Sequence, residues 1–245
     1  KIAKNKIELK KIRIVFDNLP VWFQKKTNFL TINEKKQFLD NFNKEPNIHI
    51  VFKDEDKLNQ FEDNLIKTSK ISGFLIDKKD IKNKKSFING DWWVQDFSSF
   101  LPIYNFRVKD KSKLFLDACA APGGKSFQIL SNNLNIILND KNKNRIQTLK
   151  TNLKRLKLSA KILNQDFIRF ENKREYDVII IDAPCSAIGT IRRNPEIFFK
   201  NKGPNFDKLL SLQENMLKKA SFLLNTNGFI IYMTCSFLQI ETIDQ

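Results

Sequence analysis

The chain is poor in the residues that mark several protein classes. Its three cysteines, at 119, 185 and 235, are too few and too scattered for a disulfide framework and lack zinc-type pairing, so reduced thiols are expected. Seven glycines and seven prolines among 245 residues exclude collagen-like and Pro/Gly-rich low-complexity material. No apolar run approaches the roughly 18 to 20 residues of a membrane span, and no secretory leader pattern stands at the front. A soluble, cytoplasmic, monomeric protein with no membrane partner is the expectation. What the chain does have is 41% hydrophobic residues, 22 of its side chains being Phe, which argues for a packed core and against disorder. The length suits one large domain or a domain with a smaller companion. The chain starts on Lys1 and stops at Gln245 without a closing element, so a piece of a longer protein is expected.

Basic residues number 43 against 27 acidic, a net charge of +16, and an anionic partner such as nucleic acid competes with a solvated lysine-rich surface. The excess is mostly lysine, 35 against 8 arginines, as biased base composition also produces, so its distribution says more. Residues 101–200 hold 19 basic and 9 acidic side chains, whereas 51–100 is balanced at 9 each. Positive charge gathers in the segment that contains the motifs.

Residues 1–45 have a helical pattern and are expected to form a helical connection, with Thr31 and Glu34 spaced as a capping box. Residues 46–88 suggest a small module: a strand from Ile48, a helix over 57–68 with Leu58, Phe61 and Leu65 at helical spacing, and a strand over 73–77. The lysine-rich run 78–85 places a domain boundary between about 78 and 90. From 89 to 245, strands at 114–118, 135–139, 160–163, 177–181 and 229–233 alternate with helices at 125–130, 143–156 and 208–224. Short apolar strands between amphipathic helices predict an α/β, doubly wound parallel sheet covered on both faces. In such sheets ligands bind beyond the carboxyl ends of the strands, where the candidate residues fall.

The loop Cys119, Ala120, Ala121, Pro122, Gly123, Gly124, Lys125 follows the first of these strands, and its glycines permit close approach to a ligand. A phosphate-cradling P-loop needs a glycine where Cys119 stands, and the dinucleotide Gly-x-Gly-x-x-Gly pattern is absent. An adenosyl cofactor without a pyrophosphate survives, with Asp140 placed to accept ribose hydroxyls and Asp166 the adenine amine. Cys185 and Cys235 each follow a strand end, and the usual strand order makes the first, fourth and fifth strands neighbours, ~4.8 Å apart, so both thiols should face a common pocket. A thiolate beside an adenosyl sulfonium suggests addition to C6 of cytosine, which activates C5 for methylation; either thiol can attack and the other assist release. Asp182 is placed to hydrogen-bond the base and Lys125 to tune a thiol, with a structural salt bridge as the alternative for each. Arg192 and Arg193 suit substrate phosphates, with an ion pair to Glu196 as the alternative. Trp92 and Trp93 read as base-stacking or as packing residues, and His49 is assigned no role.

Four motifs in order, Trp93-Val94-Gln95-Asp96, Asp117 to Ser126, Asp182 to Ile197 and Met233-Thr234-Cys235-Ser236, resemble the Sun/RsmB/Nop family of ribosomal RNA cytosine-5 methyltransferases. The likeness covers roughly 85–245, with the segment Arg192 to Ile197 favouring the bacterial RsmB type. Residues 1–84 match loosely, the small module resembling the family's RRM-like subdomain. Where the family has Arg-x-Asn in that module, this chain has Val51-Phe52-Lys53. The resemblance implies a Rossmann-like methyltransferase sheet, truncated at its C-terminus, S-adenosylmethionine as cofactor and ribosomal RNA as partner. It also implies Cys235 as nucleophile, Cys185 in product release, and Cys119 to Lys125, Asp140, Asp166 and Asp182 lining the cofactor site. A non-catalytic RNA-binding assembly factor on the same fold is the alternative function.

Overall fold

A computed structural model of the chain describes residues 15–106, 110–171, 175–199 and 202–245. Positions 1–14 of the expected helical connection lie outside the described residues. After them come helix α1 (Val21–Lys26) and helix α2 (Ile32–Phe42). The capping box forms at α2: the Glu34 N–H donates to Thr31 Oγ1 at 3.3 Å, and the Glu34 carboxylate accepts from the Thr31 N–H at 2.8 Å.

The chain divides into two compact units. The smaller one combines the described part of Lys1–Pro46 with Cys185–Leu210 and Thr234–Gln245. Its core is aromatic. Phe23 is fully buried, with the Phe198 ring 4.9 Å and the Phe38 ring 5.2 Å away, and Leu19, Ile188 and Leu238 complete the cluster. Aromatic contacts of this kind add about 0.5–1.5 kcal/mol each beyond burial. The N-terminal helices thus tie together two loop segments that are distant in sequence.

The larger unit, Asn47–Pro184 with Ser211–Met233, contains two sheets. The first is antiparallel, in the order β2-β3-β1-β4, from β1 (Ile48–Phe52), β2 (Leu65–Ser69), β3 (Ser72–Leu75) and β4 (Trp92–Val94). Helix α3 (Glu55–Asn59) follows β1 and helix α4 (Lys85–Ile88) precedes β4. The helix expected over 57–68 therefore ends early. Asp54 caps its start through the Lys57 N–H at 2.8 Å, but Leu65 and Ile66 pair with Leu75 and Phe74 of β3. Leu58, Phe61 and Leu65 still pack in one cluster with Phe52 and Trp92. Their spacing identified the buried side chains, whereas the backbone groups of β3 required a strand beside them, which the β-branched Ile66 and Thr68 readily supply. Strand β4 lies past the boundary expected between 78 and 90. Its Trp92 and Trp93 are at most 3% exposed and enter different clusters, so neither ring presents a face to a base. His49 is a satisfied core residue, with Nδ1 2.8 Å from the Gln95 carbonyl and Nε2 2.9 Å from Thr68 Oγ1.

The second sheet is wholly parallel, with the order β7-β6-β5-β8-β9. Along the chain it is built from α5 (Phe97–Asn105), β5 (Leu114–Asp117), α6 (Gly124–Ser131), β6 (Asn135–Asn139), α7 (Lys143–Leu156), β7 (Lys161–Leu163), β8 (Tyr176–Asp182), α8 (Phe206–Leu223) and β9 (Leu224–Met233). This is the expected doubly wound α/β arrangement, and its first, fourth and fifth strands are neighbours. Side chains alternate across it. Phe115, Leu138 and Ile180 face Phe127, Leu149 and Leu153 of α6 and α7, whereas Leu116, Ile137 and Ile181 face Met216, Ala220 and Leu223 of α8. Both faces are covered, which is why the strands read as continuous apolar runs.

Ile180 sits fully buried on β8, between β5 and β9. Replacing it with alanine is expected to cost about 2–5 kcal/mol of unfolding free energy, checked by urea titration.

Candidate active site

The order of the parallel strands reverses at β5, whose neighbours β6 and β8 lead to opposite sides of the sheet. Such a reversal leaves a crevice at the carboxyl edge. Three of the strands there end on polar residues, Asp117 of β5, Asn139 of β6 and Asp182 of β8. The loop after β5 turns through a cis Ala121–Pro122 bond and Gly123 at φ 117°. A Cβ at Gly123 would collide with the Phe127 ring, so only glycine lets the loop lie against α6.

Each acid at this edge has a different environment. Asp117 is buried, accepting from Ser126 Oγ–H at 2.6 Å and from the Cys119 N–H at 3.2 Å. Burial outweighs those bonds and pushes its carboxyl up to about 6. Asp182 takes the Lys125 ammonium at 2.6 Å, an ion pair in which the lysine side chain is only 13% exposed. Asp140, just beyond β6, is buried and accepts from the Ala121 N–H at 3.2 Å and the Asn142 N–H at 2.8 Å. Arg145 lies 3.4 Å from the Asp140 carboxylate and also donates to the Ala121 carbonyl. Asp166 is exposed and caps a short 3-10 turn by accepting from the Ile168 N–H at 3.1 Å. Asn139 binds the Ala118 carbonyl and both backbone groups of Gln165, so the ends of β5, β6 and β7 are held together.

Two hollows open at this edge. One lies among Asp140, Asp166, Phe167, Ile168 and Pro184, with Met216 behind them. Carboxylates over apolar walls suit a flat, amine-bearing ring carrying hydroxyls. The other, of about 410 Å³, is bordered by Trp93, Gln95, Asp96, Asp117, Lys125 and Asp182. Gln95 connects this wall to the helices: its side chain accepts from Trp93 Nε1–H at 2.9 Å and donates to Gln128 Oε1 at 3.0 Å. Cys119 borders both hollows. Its thiol is pushed up to about 12, first by burial and then by the Asp117 and Asp140 carboxylates, so it stays protonated at neutral pH.

Cys185 and Cys235 belong to the smaller unit, where their Sγ atoms are 3.2 Å apart. None of the three cysteines forms a disulfide; Cys235 is exposed and Cys185 half-buried. Cys185 is driven far above the usual thiol range, first by its hydrogen bond with Cys235, then by burial and by the charge of that neighbour. That bond and burial hold the Cys185 thiol protonated, and either sulfur can be the donor between the two. Arg192 and Arg193 are exposed, just after a 3-10 turn over Ile188–Thr190.

Of the residues singled out from sequence, the structure brings together Lys125 with Asp182, the 119–125 loop with Asp140, and Cys185 with Cys235. Sequence reasoning missed Arg145, Ser186 and the fully buried Glu241. Arg145 follows the helix-capping Asn142 by three residues, a spacing that marks the cap but not the partner. Glu241 carries no sequence signal, since an acid at a polar tail reads as a surface residue.

The chain matches the family model described as 16S rRNA methyltransferase RsmB/F over residues 105–245. It is 34% identical over 172 residues to ribosomal RNA small subunit methyltransferase B of Shewanella oneidensis, covering 68% of this chain and 40% of that protein. It is 28% identical to ribosomal RNA small subunit methyltransferase F of Aeromonas salmonicida, over 69% of this chain and 38% of the relative. The chain thus spans about 40% of the length of the curated relatives it matches. Among solved structures, a methyltransferase homolog protein from Pyrococcus horikoshii shares the fold with a TM-score of 0.76, covering 91% of this chain and 75% of its own at 22% identity. NSun6 from Pyrococcus horikoshii, solved with SFG, gives a TM-score of 0.61 at 26% identity, covering 67% of this chain and 43% of that one.

The Asp117 carboxyl supplies a pH test. Its folded-state value of about 6 lies above the ordinary 3.8, so the fold favours the protonated acid. Stability from this group is greatest below pH ~4 and is lost as pH rises to about 6, in total roughly 3 kcal/mol at 1.36 kcal/mol per pH unit. Asp117→Asn should therefore gain stability relative to wild type across that window, read as the difference between unfolding curves at pH 4 and pH 7.

Proposed function

The chain belongs to the 16S rRNA methyltransferase RsmB/F family, and we propose on that premise that it moves the methyl group of S-adenosylmethionine to C5 of a cytosine in small-subunit ribosomal RNA through a covalent bond between Cys235 and C6. The observation that carries this reading is the 3.2 Å separation of the Cys185 and Cys235 sulfurs. C5 of cytosine is a poor nucleophile. When the Cys235 thiolate bonds to C6, the C5=C6 electron pair is displaced and C5 becomes nucleophilic. S-adenosylmethionine, when bound, would supply an electrophilic methyl group to C5, its methyl–sulfonium bond breaking as the new C–C bond forms and S-adenosylhomocysteine leaving. Transfer of the C5 proton to water then restores the double bond and expels Cys235 as a thiolate. Cys185 serves that release, because a neighbouring S–H that donates to the departing sulfur stabilises its charge. The upward push on the Cys185 thiol, which disfavours its thiolate, supports Cys235 rather than Cys185 as the attacking sulfur.

The edge of the parallel sheet supplies the rest. The loop Cys119 to Lys125 carries the cofactor, Asp140 accepts from the ribose hydroxyls and Asp166 from the adenine amine. The apolar Phe167, Ile168 and Pro184 flank the ring. Asp182 hydrogen-bonds the base as charge develops on it, while Lys125 holds that carboxylate at 2.6 Å. The exposed Arg192 and Arg193 take phosphates of the RNA strand.

The test is methyl transfer from labelled S-adenosylmethionine to unmodified small-subunit ribosomal RNA by the full-length protein, with the product nucleoside identified. Cys235→Ala should lower the rate by at least about 10³-fold. Cys185→Ala should permit attack yet accumulate a protein–RNA adduct that survives a denaturing gel. Full activity in Cys235→Ala, or a methyl group on any atom but C5, overturns the reading. Asp140→Ala should raise the KM for the cofactor roughly 10- to 100-fold, the loss of hydrogen bonds to a charged acceptor.

A further inference from the structure

Glu241 is fully buried at the end of the 3-10 turn Gln239–Glu241, and its carboxylate reaches the loop that carries Cys185. It accepts the Ser186 N–H at 2.8 Å and also the Ser186 Oγ–H. Ser186 Oγ is 3.2 Å from Ser236 Oγ. The Ser186 hydroxyl is thus directed at both the Glu241 carboxylate and Ser236 Oγ. Ser186 follows Cys185 directly and Ser236 follows Cys235. The Gly189 N–H donates to the Cys235 carbonyl at 2.9 Å, a second link between the same two loops. Of the residues in this arrangement, only Glu241 presents an acceptor that takes two donors from the Cys185 loop at once.

We propose that Glu241 is a positioning residue which, through Ser186 and Ser236, sets the separation of the Cys185 and Cys235 sulfurs. This rests on the thiol chemistry proposed above for its consequence in catalysis, though not for its geometry. A buried carboxylate holds its two donors more tightly than a neutral acceptor does, and two thiols held in register react with each other, or on one substrate, at a high effective concentration. Release of the clamp lets the loops drift and lowers that concentration.

The experiment reads the thiol pair apart from methyl transfer. Diamide, a diazene, takes the two thiol hydrogens and two electrons to become its hydrazine as Cys185 and Cys235 join in a disulfide. The closure rate in the full-length protein is followed by mass spectrometry, with Cys185→Ser as the blank. Glu241→Gln is expected to slow closure about tenfold, the equivalent of one hydrogen bond, and to lower kcat similarly while KM for RNA and cofactor stays unchanged. Ser186→Ala keeps the backbone donation and deletes only the hydroxyl link, so it decides the matter if Glu241→Gln lowers the melting temperature. A closure rate equal to wild type in the folded variants overturns the proposal. Slower closure in a protein whose wild type transfers no methyl group upholds the clamp and sinks the catalytic reading instead.

Discussion

Parallel backbone pairing sets Asp117 opposite Ile180 across β5 and β8, and Asp182 opposite Met233 across β8 and β9. With both faces of the sheet buried, this register has no freedom. A slip of one residue would turn Ile181 away from α8 and Ile180 away from α7, exposing neither layer to water but mispacking both. Within the larger unit, the loops after β5 and β6 inherit their position from that ladder. Asp177 secures the opposite end, accepting from the Leu114 N–H at 2.8 Å and from Lys113 and Asn225 side chains, which holds its carboxyl below the ordinary range.

The edge then differentiates side chains of one type by their surroundings. Asp117 is pushed up by burial, Asp182 is matched by a lysine, and Asp140 is held by backbone N–H groups with Arg145 at its side. Thiols are sorted in the same manner. Cys119 is kept neutral by burial beside carboxylates, whereas Cys185 is kept neutral mainly by its bond to a second sulfur. The former thiol lines the hollows at the sheet edge, and the latter is one of two sulfurs in contact.

The smaller unit shows how loops without a sheet of their own can still share a packed core. Its segments after Cys185 and Thr234 share an aromatic cluster with α1 and α2, centred on Phe23. Loops usually carry function on a scaffold, and here phenylalanine rings are part of that scaffold. Much of the Phe content thus goes into packing, as do Trp92 and Trp93, whereas Phe199, Phe222 and Phe229 are exposed.

Local patterns were enough to read the parallel strands, the helix over 143–156, the Thr31–Glu34 cap and the placement of candidate residues at strand ends, because alternation, amphipathicity and capping are each written within a few neighbouring positions. The same patterns misplaced the element after Asn59, where a strand partner in β3 outweighed helical spacing. Contacts between residues far apart in sequence were beyond them: Lys125 on Asp182, Arg145 on Asp140, and Glu241 on Ser186. Side-chain types and spacing determine which segments fold and which carry polar groups to an edge. Which carboxyl is pushed up, which thiols meet and which carboxylate bonds a distant loop were decided only by tertiary packing, because burial and hydrogen-bond partners exist only once the chain has closed on itself.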